Sequence, residues 1–125
     1  FSLKEHVFDQ VDKFDTKYKV NKWYIKSKDL EWSNEQKIQV IRIIQEVMNN
    51  IVKHAEATMI TVKIRERSNG LIISVADNGK GIAVNKKGMG MENIQNRIFL
   101  VNGICKVKST LGKGTNVLIG LPYEI

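Results

Sequence analysis

Two pairs of short apolar runs, each pair joined by a glycine-containing turn, constrain the fold of this chain most strongly. In the first pair, apolar residues alternate with polar ones over 60–64, a turn follows at 68–70, and residues 71–76 form another strand. Asn-Gly between two such runs is a strong hairpin signal. The second pair, 104–109 and 115–121, lies at the end of the chain. The sequence therefore predicts two β-hairpins.

Two capping boxes predict where helices begin. Ser2 with Glu5 opens a first helix, which we expect to run to about residue 16, and Ser33 with Gln36 opens a longer one. Apolar residues recur at helical spacing after both boxes, and the second pattern continues to about His54.

The order of elements decides the architecture. A strand over 18–26 and a short helix over 91–101, closed by Asn102 and Gly103, complete the set. Strands and helices do not alternate regularly, which argues against a doubly wound parallel sheet. We expect residues 1–125 to form one domain, an α/β two-layer sandwich (α+β) with a mixed sheet of about five strands and about three helices on one face.

Composition excludes several classes of protein. The single Cys105 cannot form an internal disulfide, and no apolar run approaches the roughly 20 residues of a membrane span. The net charge of +7 comes from 20 basic and 13 acidic residues. Because the basic residues are scattered and are not interleaved with aromatic ones, we expect no nucleic acid but a polyphosphate ligand or an acidic partner.

The long helix carries a polar stripe. Measured from Glu46, Asn50 lies at about +40° and Lys53 at about −20° on a wheel of 3.6 residues per turn. Apolar residues such as Met48 and Ile44 fall on the other side. The stripe is either an ordinary solvated surface or a metal–phosphate site, in which an Asn oxygen suits Mg²⁺, a Lys contacts phosphate and a Glu acts as a base.

A glycine-rich stretch follows the strand 71–76. A carboxylate at a strand end, Asp77, is placed to accept a hydrogen bond from the exocyclic amine of adenine; guanine carries a carbonyl at that position, and two facing acceptors would repel. Gly79 and Gly81 would let a flat base pack against the backbone. Asp-Asn-Gly is equally typical of a plain turn.

A second glycine pair, Gly88 and Gly90, lies immediately before the helix that begins near Met91. Glycines that lead into a helix N-terminus can form an anion site from free backbone N–H groups. The alternative is a flexible connection. Gly114-Thr115 could likewise be only part of the last hairpin turn.

The motifs occur along the chain in the order acid-xxx-Asn on a long helix, Asp-x-Gly-x-Gly, Gly-x-Gly, Gly-Thr, and a strand ending in Pro122. In this order they resemble the GHKL ATPase superfamily, which shares the Bergerat ATP-binding fold. The stretch 45–55 resembles the N box of compact sensor histidine kinases of the nitrate-sensor and lipid-fluidity-sensor type. As in those kinases, only residues 83–87 separate the two glycine boxes.

The resemblance implies a role for each matching residue. It implies ATP and Mg²⁺ as ligands, with Asn50 on the metal, Asp77 on the adenine amine and Glu46 as the base. The other residues implied to bind nucleotide are Lys53, His54, Gly79, Gly81, Ile82, Gly88, Gly90, Met91 and Thr115.

The resemblance also implies partners and a setting. These kinases phosphorylate a histidine on a separate dimerisation helix and pass the phosphoryl group to a response regulator. Because that helical hairpin is absent from the sequence, we expect ATP binding without autophosphorylation and dimerisation only through the missing helices. We expect a cytoplasmic domain of a membrane-anchored bacterial sensor that belongs to a two-component system.

Two other functions stay open from the sequence. An anti-sigma-factor serine kinase has a similar size and the same fold. A non-catalytic adaptor could keep the fold and bind only protein, although the intact Asp77, Asn50 and paired glycines argue against it.

Overall fold

Five strands form a single mixed sheet in the order β1-β2-β3-β5-β4. The computed structural model describes residues 2–15, 17–27, 31–54, 56–80 and 91–122. The elements in chain order are α1 (Leu3–Asp12), β1 (Lys19–Ile25), α2 (Asn34–His54), β2 (Met59–Arg67), β3 (Gly70–Asp77), α3 (Met91–Leu100), β4 (Ile104–Thr110) and β5 (Gly114–Pro122).

The sheet combines one parallel pair with three antiparallel pairs. β1 runs parallel to β2, and α2 lies in the connection between them. A parallel pair requires such a crossover, whereas antiparallel neighbours can be joined by short turns. The pairs β2–β3 and β4–β5 are the two predicted hairpins, and β3 also pairs with β5. The predicted mixed five-stranded sheet is confirmed.

One core lies between the inward face of the sheet and the helices. α2 packs between α1 and α3 and contacts β3. Completely buried side chains meet across this interface, including Ile43 and Ile44 of α2, Ile64 of β2 and Ile73 of β3. Burying an aliphatic side chain of this size contributes about 1.5–3 kcal/mol. The predicted two-layer α+β sandwich is confirmed.

Both predicted helix starts are in place. Ser33 and Gln36 form the reciprocal box, with the Gln36 N–H donating to Ser33 Oγ at 3.1 Å and the Ser33 N–H donating to Gln36 Oε1 at 2.8 Å. Ser2 Oγ accepts from the Glu5 N–H at 3.3 Å. The first helix is shorter than predicted, because α1 ends at Asp12 and the chain then turns.

One turn residue differs from its expected role, and another closes its helix as predicted. Gly70 belongs to β3, opposite Arg67, and the turn between the strands is Ser68-Asn69. A Cβ at Gly70 would lie 2.3 Å from the Leu121 carbonyl oxygen, so close packing rather than turn conformation requires glycine there. At the end of α3, Asn102 adopts the left-handed conformation (φ 60°) that is commonly filled by glycine.

Candidate functional site

Asp77 ends β3 with its side chain buried; only 9% of the residue is exposed. Its Oδ1 accepts a hydrogen bond from the Gly79 N–H at 2.7 Å. Burial raises the pKa of the carboxyl, and hydrogen bonds from the Gly79 and Thr115 backbone oppose that rise. Oδ2 is buried and has no hydrogen-bond partner among the described residues. The strand therefore ends in an acceptor that a ligand N–H could satisfy.

Asn78 fixes the backbone next to this carboxylate. Its Oδ1 accepts from the Thr58 and Met59 N–H groups, each at 2.9 Å, and its Nδ2 donates to Thr58 Oγ1 at 2.8 Å. The end of β3 is thereby tied to the start of β2. The sequence predicts Asn78 only as part of a turn motif; the signal for its structural role is that Asn side chains often bind backbone groups in turns.

The last hairpin packs directly on the end of β3. A Cβ at Gly114, where φ is +101°, would lie 2.0 Å from the Asp77 carbonyl oxygen. The Gly112 N–H donates to the Lys80 carbonyl oxygen at 2.6 Å. Thr115 is buried, and its Oγ1 is 2.9 Å from Ser109 Oγ. The turn before Thr115, for which the sequence also allows a plain hairpin, thus packs against the backbone at Asp77 and Lys80.

On α2, Glu46 and Asn50 lie one turn apart at the edge of the core. Asn50 is buried, with 7% of the residue exposed, while Glu46 is half-buried. The exposed face of the helix instead carries Arg42 and Asn49. The prediction that the apolar face lies opposite the stripe was therefore inaccurate, because the side of the helix that is buried in the core includes Asn50.

Arg97 of α3 is a site residue that sequence analysis missed. Its Nη2 lies 2.6 Å from Glu46 Oε1. Glu46 Oε2 and Arg97 Nε are both buried without a hydrogen-bond partner among the described residues. An arginine in the last turn of an amphipathic helix gives no sequence signal of such a contact, because the contact depends on how α3 packs on α2.

The structure describes only part of the predicted set. Lys53 and His54 lie in the last turn of α2, and Met91 begins α3. Four predicted residues lie outside the described residues: Gly81, Ile82, Gly88 and Gly90. The remaining predicted residues form two groups, Glu46 with Asn50 on α2, and Asp77 with Gly79 and Thr115 where β3 ends and β5 begins.

The expectation that the domain binds Mg²⁺ depends on one side chain, that of Asn50. Within the described ranges, no group of three His, Cys, Asp or Glu residues could hold a metal ion. The buried amide of Asn50 is a hard, neutral donor of the kind that contributes to Mg²⁺ sites. One such ligand fits Mg²⁺ when substrate phosphates and water supply the rest of the shell, as is usual for this ion.

Comparison with known families gives the class of protein. The family model described as histidine kinase-, DNA gyrase B-, and HSP90-like ATPase matches residues 35–125. The match covers most of the chain and contains all of the predicted site residues. The chain belongs to this ATPase family.

Curated relatives are sensor histidine kinases. The chain is 29% identical over 124 residues to the sensor histidine kinase LiaS of Bacillus subtilis, covering 96% of the chain and 34% of LiaS. It is 28% identical over 105 residues to the signal transduction histidine-protein kinase/phosphatase DegS of the same organism, covering 79% of the chain and 27% of DegS. The chain spans about a third of the length of these relatives.

Solved structures share the fold. The blue-light activated histidine kinase EL346 of Erythrobacter litoralis superposes with a TM-score of 0.77 at 20% identity, over 96% of the chain and 41% of that protein. The catalytic domain of histidine kinase ThkA gives 0.72 at 14% identity, over 98% of the chain and 92% of that domain. These two structures have the same fold as this chain.

In the part of the chain that the structure describes, no helix is long and apolar enough to cross a membrane.

Proposed function

We propose that this domain binds Mg-ATP and transfers the γ-phosphoryl group to a histidine on a separate dimerisation helix. The observation that carries the proposal is the buried Asp77 carboxylate, whose Oδ2 lacks a hydrogen-bond partner among the described residues. A buried acceptor of this kind costs free energy unless a ligand donor satisfies it. The exocyclic amine of adenine is such a donor, and the corresponding carbonyl of guanine is not.

The backbone around Asp77 supports recognition of a flat base. Gly79 uses its N–H to hold Oδ1, which leaves Oδ2 for the ligand. Thr115 and the close packing of Gly114 on the end of β3 fix the opposite wall. These contacts hold the carboxylate in one orientation, which reduces the cost of ordering it when the amine binds.

The α2 residues would act at the triphosphate end. Asn50 would hold Mg²⁺, and Lys53 with His54 would contact phosphates or ribose. When bound, Mg²⁺ neutralises negative charge on the phosphates. Glu46 would accept the proton that the acceptor imidazole loses as the new N–P bond forms and ADP leaves. Arg97, held at Glu46 Oε1, leaves Oε2 for that proton.

The glycine boxes would complete the nucleotide site. Gly81 and Ile82 would shape the base pocket, and Gly88 and Gly90 would bring backbone N–H groups to the phosphates ahead of Met91 at the start of α3.

The phosphoacceptor lies outside this domain in the proposal. The ring of His6 is held on α1, with Nδ1 3.1 Å from the Ser2 carbonyl oxygen. We therefore expect no autophosphorylation of this chain alone. The partners are the parent protein's own dimerisation and phosphoacceptor helices and a response regulator, in a cytoplasmic part of a membrane-anchored bacterial sensor.

Phosphoryl transfer with labelled nucleotide tests the proposal. The chain is incubated with γ-labelled Mg-ATP, alone and with the histidine-bearing helices of the parent protein supplied as a separate polypeptide. We expect acid-labile label on the helices, none on the chain alone, and none from Mg-GTP. Acid-stable phosphoserine on a partner would instead indicate the serine kinase, and label on His6 would contradict the assignment of the acceptor.

A further inference from the structure

The outward face of the sheet is not covered by any described helix and carries exposed apolar side chains. Alternate residues of each strand point away from the helices. Trp23 and Ile25 of β1 are 62% and 57% exposed, Leu118 of β5 is 42% exposed and Ile104 of β4 is 65% exposed. Exposed apolar side chains that share one face of a sheet often mark an interaction surface.

The same face is strongly basic. Among the described strand residues, the outward positions include no Asp or Glu, and they include six cations. These cations are Lys19 of β1, Lys63, Arg65 and Arg67 of β2, and Lys106 and Lys108 of β4. None of them forms an ion pair with a described acidic residue. Much of the chain's net charge of +7 is therefore concentrated on this face.

The strand register arranges these cations as two borders. The central strands β3 and β5 present uncharged residues outward, including Ile72 and Ser74 of β3 and Gly120 of β5. We call this uncharged surface of β3 and β5 the floor. β2, with Lys63 and Arg65, lies on one side of this floor, and β4, with its two lysines, lies on the other. A Cβ at Gly120 would meet no atom within 4 Å, so the floor is open there.

The width of the floor defines what fits. β2 and β4 are three strand spacings apart, which is about 14 Å at about 4.8 Å per spacing. An α-helix with its side chains is about 10–12 Å wide. A helix can therefore lie on the uncharged floor with its flanks beside both cationic borders.

A hollow next to the floor offers an anchor point. Side chains from three strands line it: Trp23 and Ile25 of β1, Lys63 and Arg65 of β2, and Ile72 of β3. Its volume is about 410 Å³. A large apolar side chain of a ligand could pack here between the cations, as hot-spot side chains do in protein interfaces.

We propose that the outward sheet face docks an acidic amphipathic helix of a partner protein. Its apolar side would lie on β3 and β5, with one large side chain in the Trp23 hollow, and its carboxylates would pair with the cations of β2 and β4. Complementary charge of this kind supports docking and speeds association. The proposal does not depend on nucleotide binding.

Two other ligands fit this face less well. A twisted sheet is saddle-shaped, so a flat anionic membrane would meet only part of it. Single-stranded nucleic acid is bound by successive aromatic side chains, and Trp23 is the one aromatic residue pointing outward from the described strands.

A designed peptide tests the proposal. The probe is an 18-residue helical peptide with Leu along one face and Glu on both flanks, and its control carries Gln in place of Glu. Binding to the whole chain is followed by fluorescence anisotropy of labelled peptide. We expect the Glu peptide to bind at least tenfold more tightly than the Gln peptide.

Variants locate the site. The Lys63→Glu/Arg65→Glu variant and the Trp23→Ala variant should each lose at least tenfold in affinity for the Glu peptide. The matched control, Lys17→Glu/Arg42→Glu, reverses two charges outside the sheet and should bind within twofold of the unaltered chain. Thermal melting and Mg-ATP binding of every variant show that it is folded.

Four outcomes would overturn the proposal: no binding of the Glu peptide at millimolar concentration, equal binding of the Gln peptide, equal loss in the control variant, or tighter binding to phosphatidylserine vesicles or single-stranded DNA than to the peptide. Self-association of the chain through this face, seen by sedimentation and abolished by Trp23→Ala, would also replace it.

Discussion

At the scale of single residues, Asp77 combines three properties that together favour a ligand. The residue is buried, one oxygen is held by backbone N–H, and the other is left without a partner among the described residues. The turn contact uses only Oδ1, and leaving Oδ2 buried and unsatisfied costs about 1–3 kcal/mol. A ligand that donates a hydrogen bond to Oδ2 removes this cost when it binds.

The raised pKa of Asp77 predicts an acid-sensitive nucleotide site. As pH falls through the raised pKa, the carboxyl gains a proton and can no longer act purely as an acceptor for the adenine amine. Affinity for Mg-ATP should fall in that window, which lies above the ordinary pKa of an aspartate. Calorimetric titration at a series of pH values measures it. The Asp77→Asn variant, already weak, should show no such dependence.

The same shift predicts the direction of the effect on stability. Between the ordinary and the raised pKa, the folded chain binds more protons at Asp77 than the unfolded chain. The contribution of this group to the free energy of unfolding therefore declines as pH rises through the window. Asp77→Asn should remove that slope in unfolding experiments without nucleotide, and an unchanged slope would show that other groups cause it.

Arg97 is predicted to position Glu46 rather than to bind nucleotide. Arg97→Met removes the 2.6 Å contact, so Glu46 can rotate away from the acceptor. We expect phosphoryl transfer to the separate helices to slow by about tenfold or more, within the range of general base effects. The affinity for Mg-ATP should stay within twofold. Gln95→Met, an exposed change on the same helix, is the control, and Arg97→Lys should restore part of the rate.

At the scale of elements, patterns with a local cause could be predicted and packing contacts could not. Ser33 with Gln36 gave the start of α2, because a capping box satisfies backbone groups within four residues. The role of Gly70 depends on the Leu121 carbonyl across the sheet, and the burial of Asn50 depends on neighbouring elements. The sequence alone does not distinguish a glycine or asparagine that serves a turn from one whose role depends on packing against a neighbouring element.

Three glycines in β5 and the turn before it distinguish the two reasons for requiring glycine, a positive φ and a close contact with a neighbouring strand. Gly114→Ala would place a Cβ 2.0 Å from the Asp77 carbonyl oxygen at a positive φ, and Gly112→Ala has a positive φ with open space around it. Gly120→Ala has neither problem. Left-handed strain alone costs about 1–2 kcal/mol and overpacking adds about 1–3 kcal/mol.

Urea unfolding should therefore rank the three variants, with Gly114→Ala the least stable, Gly112→Ala intermediate and Gly120→Ala close to the unaltered chain. Gly114→Ala should also weaken Mg-ATP binding, because it displaces the Asp77 backbone. Equal stability of Gly114→Ala and Gly112→Ala would show that the contact with β3 does not matter.

At the scale of the whole molecule, the sandwich places the two proposed ends of the nucleotide on different layers. The base end lies where β3 and β5 meet, and the triphosphate end lies on α2, which contacts β3. The order of motifs along the sequence predicted the fold, which is confirmed, and it also predicted the two ends of the nucleotide site, which stay a prediction. It could not indicate Arg97, which becomes part of the site only when α3 packs on α2.

The central claim is that Asp77 and Asn50 bind opposite ends of one Mg-ATP molecule. Titrating Mg-ATP and adenosine, each followed by NMR, against the unaltered chain, Asp77→Asn and Asn50→Ala tests it most directly. We predict that Asp77→Asn weakens both ligands at least tenfold, whereas Asn50→Ala weakens only Mg-ATP and leaves adenosine within twofold. Wild-type affinity of Asp77→Asn for Mg-ATP, or an equal loss of adenosine binding in Asn50→Ala, would contradict the claim.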